Sequence, residues 1–440
     1  MSERIMPKGF GSGGEWANQT VVHPFGLAIL IICIIIMLRQ SRKNVIFPLV
    51  FLILAIPSAQ RIVIATLDFS FLRILILMTV ARIFLRGEGR DIKMEKPDIT
   101  ILMWMFWGIF AYGILKGGLS GVITRTGFMV DAVGAYYIGR VYVRTTDDIR
   151  RITLFIGLLA LPMVVFFLVE RATGKNFLSM FGGVPEITKI RGGRLRCQGP
   201  FSHPILAGVF WASILPWMSA LWYGAVGNKK IIAVYILSIG IIVANTASST
   251  PVMAVLFSLL GISMFGIRKK MPLIRKRGLI MLLVLHVSMD APVWHLISRI
   301  DLSGGSTGWH RYNLIQQAIN HVGEWWLFGG HSTAHWGWGL QDITNQYLLD
   351  GVRGGLLEMI LFIFFIVRVF SILGKGMDRA TSKEELWILW ASGVMLFVHS
   401  MNFLAVSYFG QMQNAFFLFM GAIVSAAVAV VRRDRKYQKV

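Results

Sequence analysis

The sequence predicts a single all-α domain, residues 1–440, that crosses a membrane many times. Hydrophobic residues make up 55% of the chain and charged residues only 15%, whereas soluble domains carry about 25% charged residues. Long apolar runs recur from Val21 to Val431, each close to the ~20 residues that a helix needs to cross a bilayer. Because the runs are continuous rather than alternating, they favour helices over the strands of a barrel.

About 12 or 13 transmembrane helices are expected from these runs. The thirteen candidate spans are residues 21–38, 45–60, 69–85, 98–116, 124–142, 152–169, 204–223, 231–246, 250–267, 278–292, 345–372, 386–406 and 409–431. The second and the tenth are short, so either could be re-entrant or packed deep in the bundle.

Charge predicts the orientation of this polytopic protein. The net charge is +22, from 44 basic and 22 acidic residues, and most of the basic residues fall in short loops between spans. With thirteen spans, seven basic clusters lie on one face, which the positive-inside rule makes cytoplasmic. The chain contains no recognisable nucleic-acid module, so anionic lipid is the expected contact of these clusters. Two cysteines are too few for a disulfide framework or a zinc cluster.

Two long loops lie on the opposite face, and we expect function to be built from them. The first long loop covers residues 170–203 and the second covers 291–344. The first carries Arg191, Arg194 and Arg196 beside a Gly-Gly pair, with Glu170 as a further candidate at its start. Arginine binds phosphate oxygens in pairs, so these three predict an anion site. The alternative is a solvated basic loop that touches lipid headgroups.

The second long loop predicts a helix at the membrane surface and contains several histidines. Apolar residues at helical spacing run from Trp309 to Val322, with Arg311 near the start. His310, His331 and His335 are candidate site residues. His331 and His335 have metal-compatible spacing, but no third ligand is evident near them, so no metal is predicted. The tryptophans fit an interfacial belt or sugar stacking.

The entry to the next span adds three candidates. Asp342, Asn345 and Arg353 lie at or just inside the predicted membrane edge. Polar and charged groups at such positions are functional candidates by default. Gly354 and Gly355 follow, and helix packing is an alternative explanation for them.

The order of these motifs, through residues 130–430, resembles the O-antigen ligase and O-antigen/exopolysaccharide polymerase superfamily. The resemblance rests on the residues Arg196, Gly199, Phe201, His203, Pro204, Gly308, Arg311, Gly329, Gly330, Thr344, Asn345, Tyr347, Leu348, Gly354 and Gly355. It implies a GT-C-type fold with two large periplasmic loops, in a multi-pass protein of the bacterial inner membrane. The implied activity is that of a metal-independent inverting glycosyltransferase, which uses undecaprenyl-diphosphate-linked glycan as donor and needs no cofactor.

By this resemblance, Arg196 and Arg311 match the positions of the family's diphosphate-binding arginines. We extend that expected role to Arg191 and Arg194. The ligases carry a histidine where this chain has Thr344. A base would then come from His203, His331, His335 or Asp342.

The departure at that position favours a polymerase of exopolysaccharide, capsule or O-antigen. Two alternatives stay open: ligase-type transfer to lipid A core or protein, and a polysaccharide transporter or flippase. Expected partners are the lipid-linked glycan, membrane lipid, a chain-length regulator and a flippase, with no nucleic acid.

Overall fold

A computed structural model describes residues 19–65, 67–224, 228–299 and 308–437. Residues 300–307 of the predicted second long loop lie outside the described residues. The helices are α1 (Pro24–Arg39), α2 (Ile46–Ala55), α3 (Phe71–Arg86), α4 (Lys96–Leu115), α5 (Leu119–Tyr142), α6 (Thr146–Thr173), α7 (Pro204–Tyr223), α8 (Lys229–Asn245), α9 (Ser249–Ser263), α10 (Met271–Ser288), α11 (Gly308–Asn320), α12 (Val322–Trp325), α13 (Gln346–Asp378), α14 (Lys383–Asn402) and α15 (Gln411–Tyr437). The strands form two short hairpins, β1 (Arg61–Ile64) with β2 (Leu67–Ser70) and β3 (Ile190–Arg191) with β4 (Arg194–Leu195).

The protein is an all-α polytopic membrane protein. Among the described residues, six helical segments are long and apolar enough to cross a membrane: Lys96–Leu115, Thr146–Thr173, Pro204–Tyr223, Ser249–Ser288, Gln346–Asp378 and Gln411–Arg433. Each of the thirteen predicted spans overlaps a helix. The second predicted span contains only the 10-residue α2, which at 1.5 Å per residue covers about half of a ~30 Å hydrocarbon core.

The segment Ser249–Ser288 contains two helices, α9 and α10. A 3₁₀ helix, Met264–Lys270, joins α9 to α10. Beyond α10, the 3₁₀ helix Val293–Arg299 packs against both α10 and α11, and α11 in turn reaches the start of α9. The chain therefore returns to the side from which α9 begins. No side chain of α10 is buried, so its apolar surface is available to lipid.

The centre of the bundle is formed by α15 and α7. In their most apolar windows, 94% and 83% of residues are buried inside the protein. The packing of α15 against α5 is close enough to need glycine on both sides. A Cβ on Gly139 would lie 2.2 Å from the Leu418 carbonyl oxygen, and one on Gly421 would lie 2.0 Å from that of Tyr136. Small residues allow this approach of backbones in membrane bundles.

Helix α13 is broken at Gly354 and Gly355, where the second long loop docks. The backbone angles are φ −151°, ψ 22° at Gly354 and φ 78°, ψ 178° at Gly355. The Leu356 amide donates to the Trp326 carbonyl at 2.8 Å, and the Trp107 indole donates to the Gly354 carbonyl at 2.7 Å. Partners outside the helix thus satisfy backbone groups that the break exposes, as a membrane interior requires.

Candidate anion-binding site

A hairpin presents the arginines of the first long loop. Gly192 and Gly193 turn the chain between β3 and β4 with φ values of 55° and 71°, which the turn of a two-residue hairpin requires. Arg191 pairs with Arg194 across the strands, and both residues are exposed. Arg196 follows the hairpin and is only 9% exposed. The three predicted phosphate ligands therefore differ in environment, and Arg196 alone is buried.

Glu170, at the end of α6, organises this loop. Its carboxylate accepts hydrogen bonds from the backbone amides of Gln198 (3.1 Å) and Gly199 (3.0 Å) and from the Thr188 hydroxyl (3.1 Å). The residue is 2% exposed. Because its oxygens face the protein's own donors, Glu170 acts as a structural anchor of the chain beside Arg196.

The guanidinium of Arg196 lies at the N-terminus of α9. Its Nε and Nη2 atoms donate to the Ser248 hydroxyl at 3.2 and 2.7 Å. Ser248 is the N-cap residue of α9, and its own hydroxyl donates to the Thr246 carbonyl at 2.9 Å. Burial, and then the charge of Arg191, lower the pKa of Arg196 to about 10, so the guanidinium stays protonated at neutral pH.

Arg311 reaches the same helix terminus from the second long loop. It lies in the first turn of α11, and its Nη2 donates to the Thr250 hydroxyl at 2.9 Å. Ser248 and Thr250 are two residues apart, which limits their backbone separation to about 7 Å. Burial and the charge of Arg191 also lower the pKa of Arg311. The structure therefore brings together the two arginines that the motif comparison selects.

His203 joins this cationic group as the N-cap of α7. Its Nδ1 accepts a hydrogen bond from the Ile205 amide at 3.1 Å. Burial lowers its pKa to about 3, with further contributions from the charges of Arg196, Lys189 and Arg191. A neutral imidazole that accepts at Nδ1 carries its proton on Nε2. Because Nδ1 accepts from a backbone amide, the geometry argues against the predicted role of His203 as a base.

We call Lys189, Arg191, Arg196 and Arg311, together with the neutral His203, the cationic cluster. Within the described part of the chain, no carboxylate forms an ion pair with Arg196 or Arg311. Buried charges are normally paired because desolvation is costly. The partial positive charge of the α9 N-terminus adds to the same field. This arrangement is suited to an anion with several oxygens, such as a phosphate or diphosphate.

The charges of His310 and Asp342 influence each other. His310 lies next to Arg311, and a Cβ on Gly339 would lie 3.6 Å from the His310 ring. Burial lowers the pKa of His310, an effect that the negative charge of Asp342 partly offsets. Burial of its carboxyl group raises the pKa of Asp342, although the residue as a whole is exposed. A carboxylate with a raised pKa is a better base, so Asp342 stays a candidate base.

The other predicted site residues lie apart from this group or serve the fold. Asn345 caps α13 by accepting from the Leu348 amide at 3.1 Å. Arg353 lies over the Phe128 ring inside the bundle. The His335 ring contacts Glu324 at 2.8 Å, and His331 is exposed.

Two contacts of the arginines were not predicted, those with the hydroxyls of Ser248 and Thr250. Polar residues directly before an apolar run are a typical N-cap signal. The residues Ser248-Ser-Thr-Pro251 precede such an apolar run. A scan of protein-family models returned no match to this sequence, and a search of curated proteins returned no significant match.

Proposed function

We propose that the protein is a GT-C-type glycosyltransferase that polymerises a bacterial surface polysaccharide. It would transfer glycan from undecaprenyl diphosphate to an acceptor sugar hydroxyl at the periplasmic face of the inner membrane. The observation that carries the proposal is the convergence of Arg196 and Arg311 on the N-terminus of α9, with no described carboxylate paired to either.

The position of the cationic cluster supports a lipid-linked anion. The cluster lies at the ends of α7 and α9, both of which belong to apolar membrane segments. On α9, the side chains of Leu256, Leu259 and Leu260 are about half exposed, and lipid is the expected contact of such a surface. A diphosphate bound at the helix N-terminus could therefore keep its polyprenyl chain in the bilayer alongside this face.

The proposed chemistry is a single displacement at the anomeric carbon. The acceptor oxygen forms the new glycosidic bond while the bond to the diphosphate oxygen breaks, and the electron pair leaves with the diphosphate. Arg196 and Arg311 stabilise the negative charge that develops there. Asp342 takes the proton of the acceptor hydroxyl. Attack opposite the leaving group inverts the anomeric configuration.

Reconstituted protein tests this proposal directly. Liposomes would receive purified undecaprenyl-diphosphate-linked repeat units, and products would be resolved on gels. We expect a ladder from the wild-type protein, and a loss of about 10²–10³ in rate for Arg196→Gln and Arg311→Gln. Lys175→Gln is the matched control, because Lys175 belongs to the same loop but lies in an exposed pair with Glu186 at 3.8 Å. Wild-type ladders from both arginine variants would refute the assignment.

Two further outcomes identify the alternatives. Product that forms only when a second acceptor is added indicates a ligase. Movement of labelled lipid across the bilayer without bond formation indicates a transporter. The broken helix α13 favours the latter as a second candidate, because transporters place charged groups beside discontinuous helices. Near the break, Arg125 forms a buried ion pair with Glu358 and lies 3.9 Å from Asp350.

A further inference from the structure

The second long loop contains a convergent group of metal-binding side chains away from the cationic cluster. His321 Nδ1 lies 2.7 Å from one carboxylate oxygen of Glu324, and His335 Nε2 lies 2.8 Å from the other. One potential ligand atom from each of the three residues lies within 4.8 Å of the other two. The sequence offers His331 as the neighbour of His335, but the fold supplies His321 and Glu324 instead.

Neighbouring aromatic groups fix the orientation of this triad. The Trp336 indole donates to Glu324 Oε2 at 3.0 Å. The His321 ring stacks on Trp336 with centroids 5.5 Å apart and an angle of 11° between the planes. The Glu324 carboxylate therefore contacts both Trp336 and His321. Outer groups that orient ligands in this way are a regular feature of metal sites.

The chemistry of the donor set selects a class of ion. Two imidazoles and one carboxylate are the protein ligands of many zinc sites that keep a position open for water. Imidazole nitrogen favours Zn²⁺ and similar transition metals over Mg²⁺ and Ca²⁺, which prefer oxygen ligands. The side chains of His321, Glu324 and His335 are 30%, 43% and 54% exposed, so an ion can enter from solvent.

We propose that His321, Glu324 and His335 bind a divalent transition-metal ion, with Zn²⁺ as the best match, that fastens the second long loop. His321 lies ten positions beyond Arg311 along α11 and its last turn, roughly 15 Å at 1.5 Å per residue. The ion is therefore too remote to contact an anion held by Arg311, and its role is structural.

The three ligands come from separate pieces of the loop. His321 follows the end of α11, Glu324 lies in α12, and His335 lies in the 3₁₀ helix Ala334–Trp336. Directly after α12, the Trp326 carbonyl accepts from α13 at its break. An ion at the triad would thus connect the helix that carries Arg311 to the part of the loop docked on the bundle.

A titration of the full-length protein in detergent tests the site. The protein would first be treated with chelator and then titrated with ZnCl₂, followed by calorimetry and thermal unfolding. We expect one Zn²⁺ ion per chain and a higher unfolding temperature. The variants His335→Ala and Glu324→Gln should weaken binding at least about tenfold, and Trp336→Phe about tenfold or more as an outer ligand. His331→Ala is the matched control, since this histidine is exposed in the same loop, and it should bind as wild type does.

Substitution by Co²⁺ gives an independent readout. Bound Co²⁺ should show the visible absorption of a low-symmetry nitrogen and oxygen site, and the His335→Ala variant should lose it even if the variant stays folded. The proposal is overturned if the wild-type protein binds no stoichiometric ion, or if His331→Ala weakens binding as much as His335→Ala. It is also overturned if acidification stabilises the loop while Zn²⁺ does not, because the triad would then be an ion-pair network of protonated histidines.

Discussion

Replacement of Arg196 by glutamine should separate function from stability. Arg196 donates to the Ser248 hydroxyl and is buried without a described carboxylate partner. If the residue existed to stabilise the fold, its loss would weaken the fold. If it exists to bind an anion, its loss should remove function and leave the folded state nearly as stable as before.

The structure allows the stability change to be estimated. Arg196 and Arg311 contact hydroxyls two residues apart on α9. The charge of Arg191 opposes the protonated form of Arg196, and two like charges about 8 Å apart repel by about 2 kcal/mol at an effective dielectric constant of 20. The hydrogen bonds to Ser248 contribute about 1 kcal/mol each to stability. Because these terms oppose each other, the free energy of unfolding of Arg196→Gln should lie within about 1 kcal/mol of the wild-type value.

Thermal unfolding in detergent, with and without inorganic diphosphate, measures both effects. Diphosphate should raise the unfolding temperature of the wild-type protein, since a ligand that binds only the folded state stabilises it. The Arg196→Gln variant should unfold near the wild-type temperature without ligand and show little response to diphosphate. The Lys175→Gln control should match the wild type in both conditions.

Two results would refute the reasoning. A loss of more than about 3 kcal/mol in the Arg196→Gln protein would show that the guanidinium mainly supports the fold, because removal of its two hydrogen bonds accounts for less. An unchanged response to diphosphate in Arg196→Gln and Arg311→Gln would show that neither residue binds the anion.

Four further predictions concern the residues that position the site. Glu170→Ala leaves two buried amides and a hydroxyl without an acceptor, and should cost roughly 2–5 kcal/mol of unfolding free energy in thermal or denaturant unfolding. Gly355→Ala places a Cβ 2.1 Å from the Leu327 carbonyl oxygen at φ 78°. The second long loop should then detach from α13 and become sensitive to proteolysis. Gly374→Ala, where a Cβ has open space, should be cleaved no faster than the wild type. His203→Asn should retain the helix cap and near-normal glycan transfer. His203→Ala should lose the cap and about 1 kcal/mol of unfolding free energy. Equal loss of transfer activity in both variants would show that His203 is the base after all. The pKa of His203 falls from 6.5 to about 3 on folding, so its neutral form favours the folded state above pH 6.5. This contribution is lost as pH falls, by roughly 2 kcal/mol at pH 5, and the asparagine variant should lack that dependence.

The helices were largely predictable because membrane burial leaves a strong signal in composition. Each apolar run became a helix, since a helix satisfies its own backbone in lipid. Composition did not show how far each helix extends across the membrane. Helix α2 is too short to cross on its own, yet Leu52 is fully buried within the bundle. Apolar runs at a protein core and in lipid look alike in sequence, and only packing distinguishes them.

The second long loop shows a similar limit. The predicted helix from Trp309 to Val322 exists as α11, and of its predicted apolar face Leu314 and Ala318 are buried at 1% and 0%. Trp309 and Val322 are 62% and 41% exposed. The buried pair packs on Trp336 and its neighbours within the loop. Periodicity therefore identified the helix, but not that its apolar face contacts protein.

Some features of the candidate site were visible in the sequence, and others depended on how the chain folds. Motif order paired Arg196 with Arg311, and both donate to hydroxyls at the N-terminus of α9, but their role as diphosphate ligands stays a prediction. Glu170 appeared to be a site residue, since sequence cannot tell a carboxylate that binds substrate from one that accepts backbone amides. His335 was grouped with His331 by spacing alone, whereas its partners, Glu324 and His321, depend on how the loop folds.

Arg196 and Arg311 are each positioned by a feature of the backbone as well as by a hydroxyl of α9. Arg196 depends on a turn whose amides are held by Glu170. Arg311 lies on a loop that reaches the bundle through the break at Gly355. A guanidinium placed in this way can give its free donors to a ligand, because its position does not depend on a carboxylate that would compete for them. It follows that damage to either backbone device should weaken diphosphate binding together with stability, whereas damage to Arg196 should weaken binding alone.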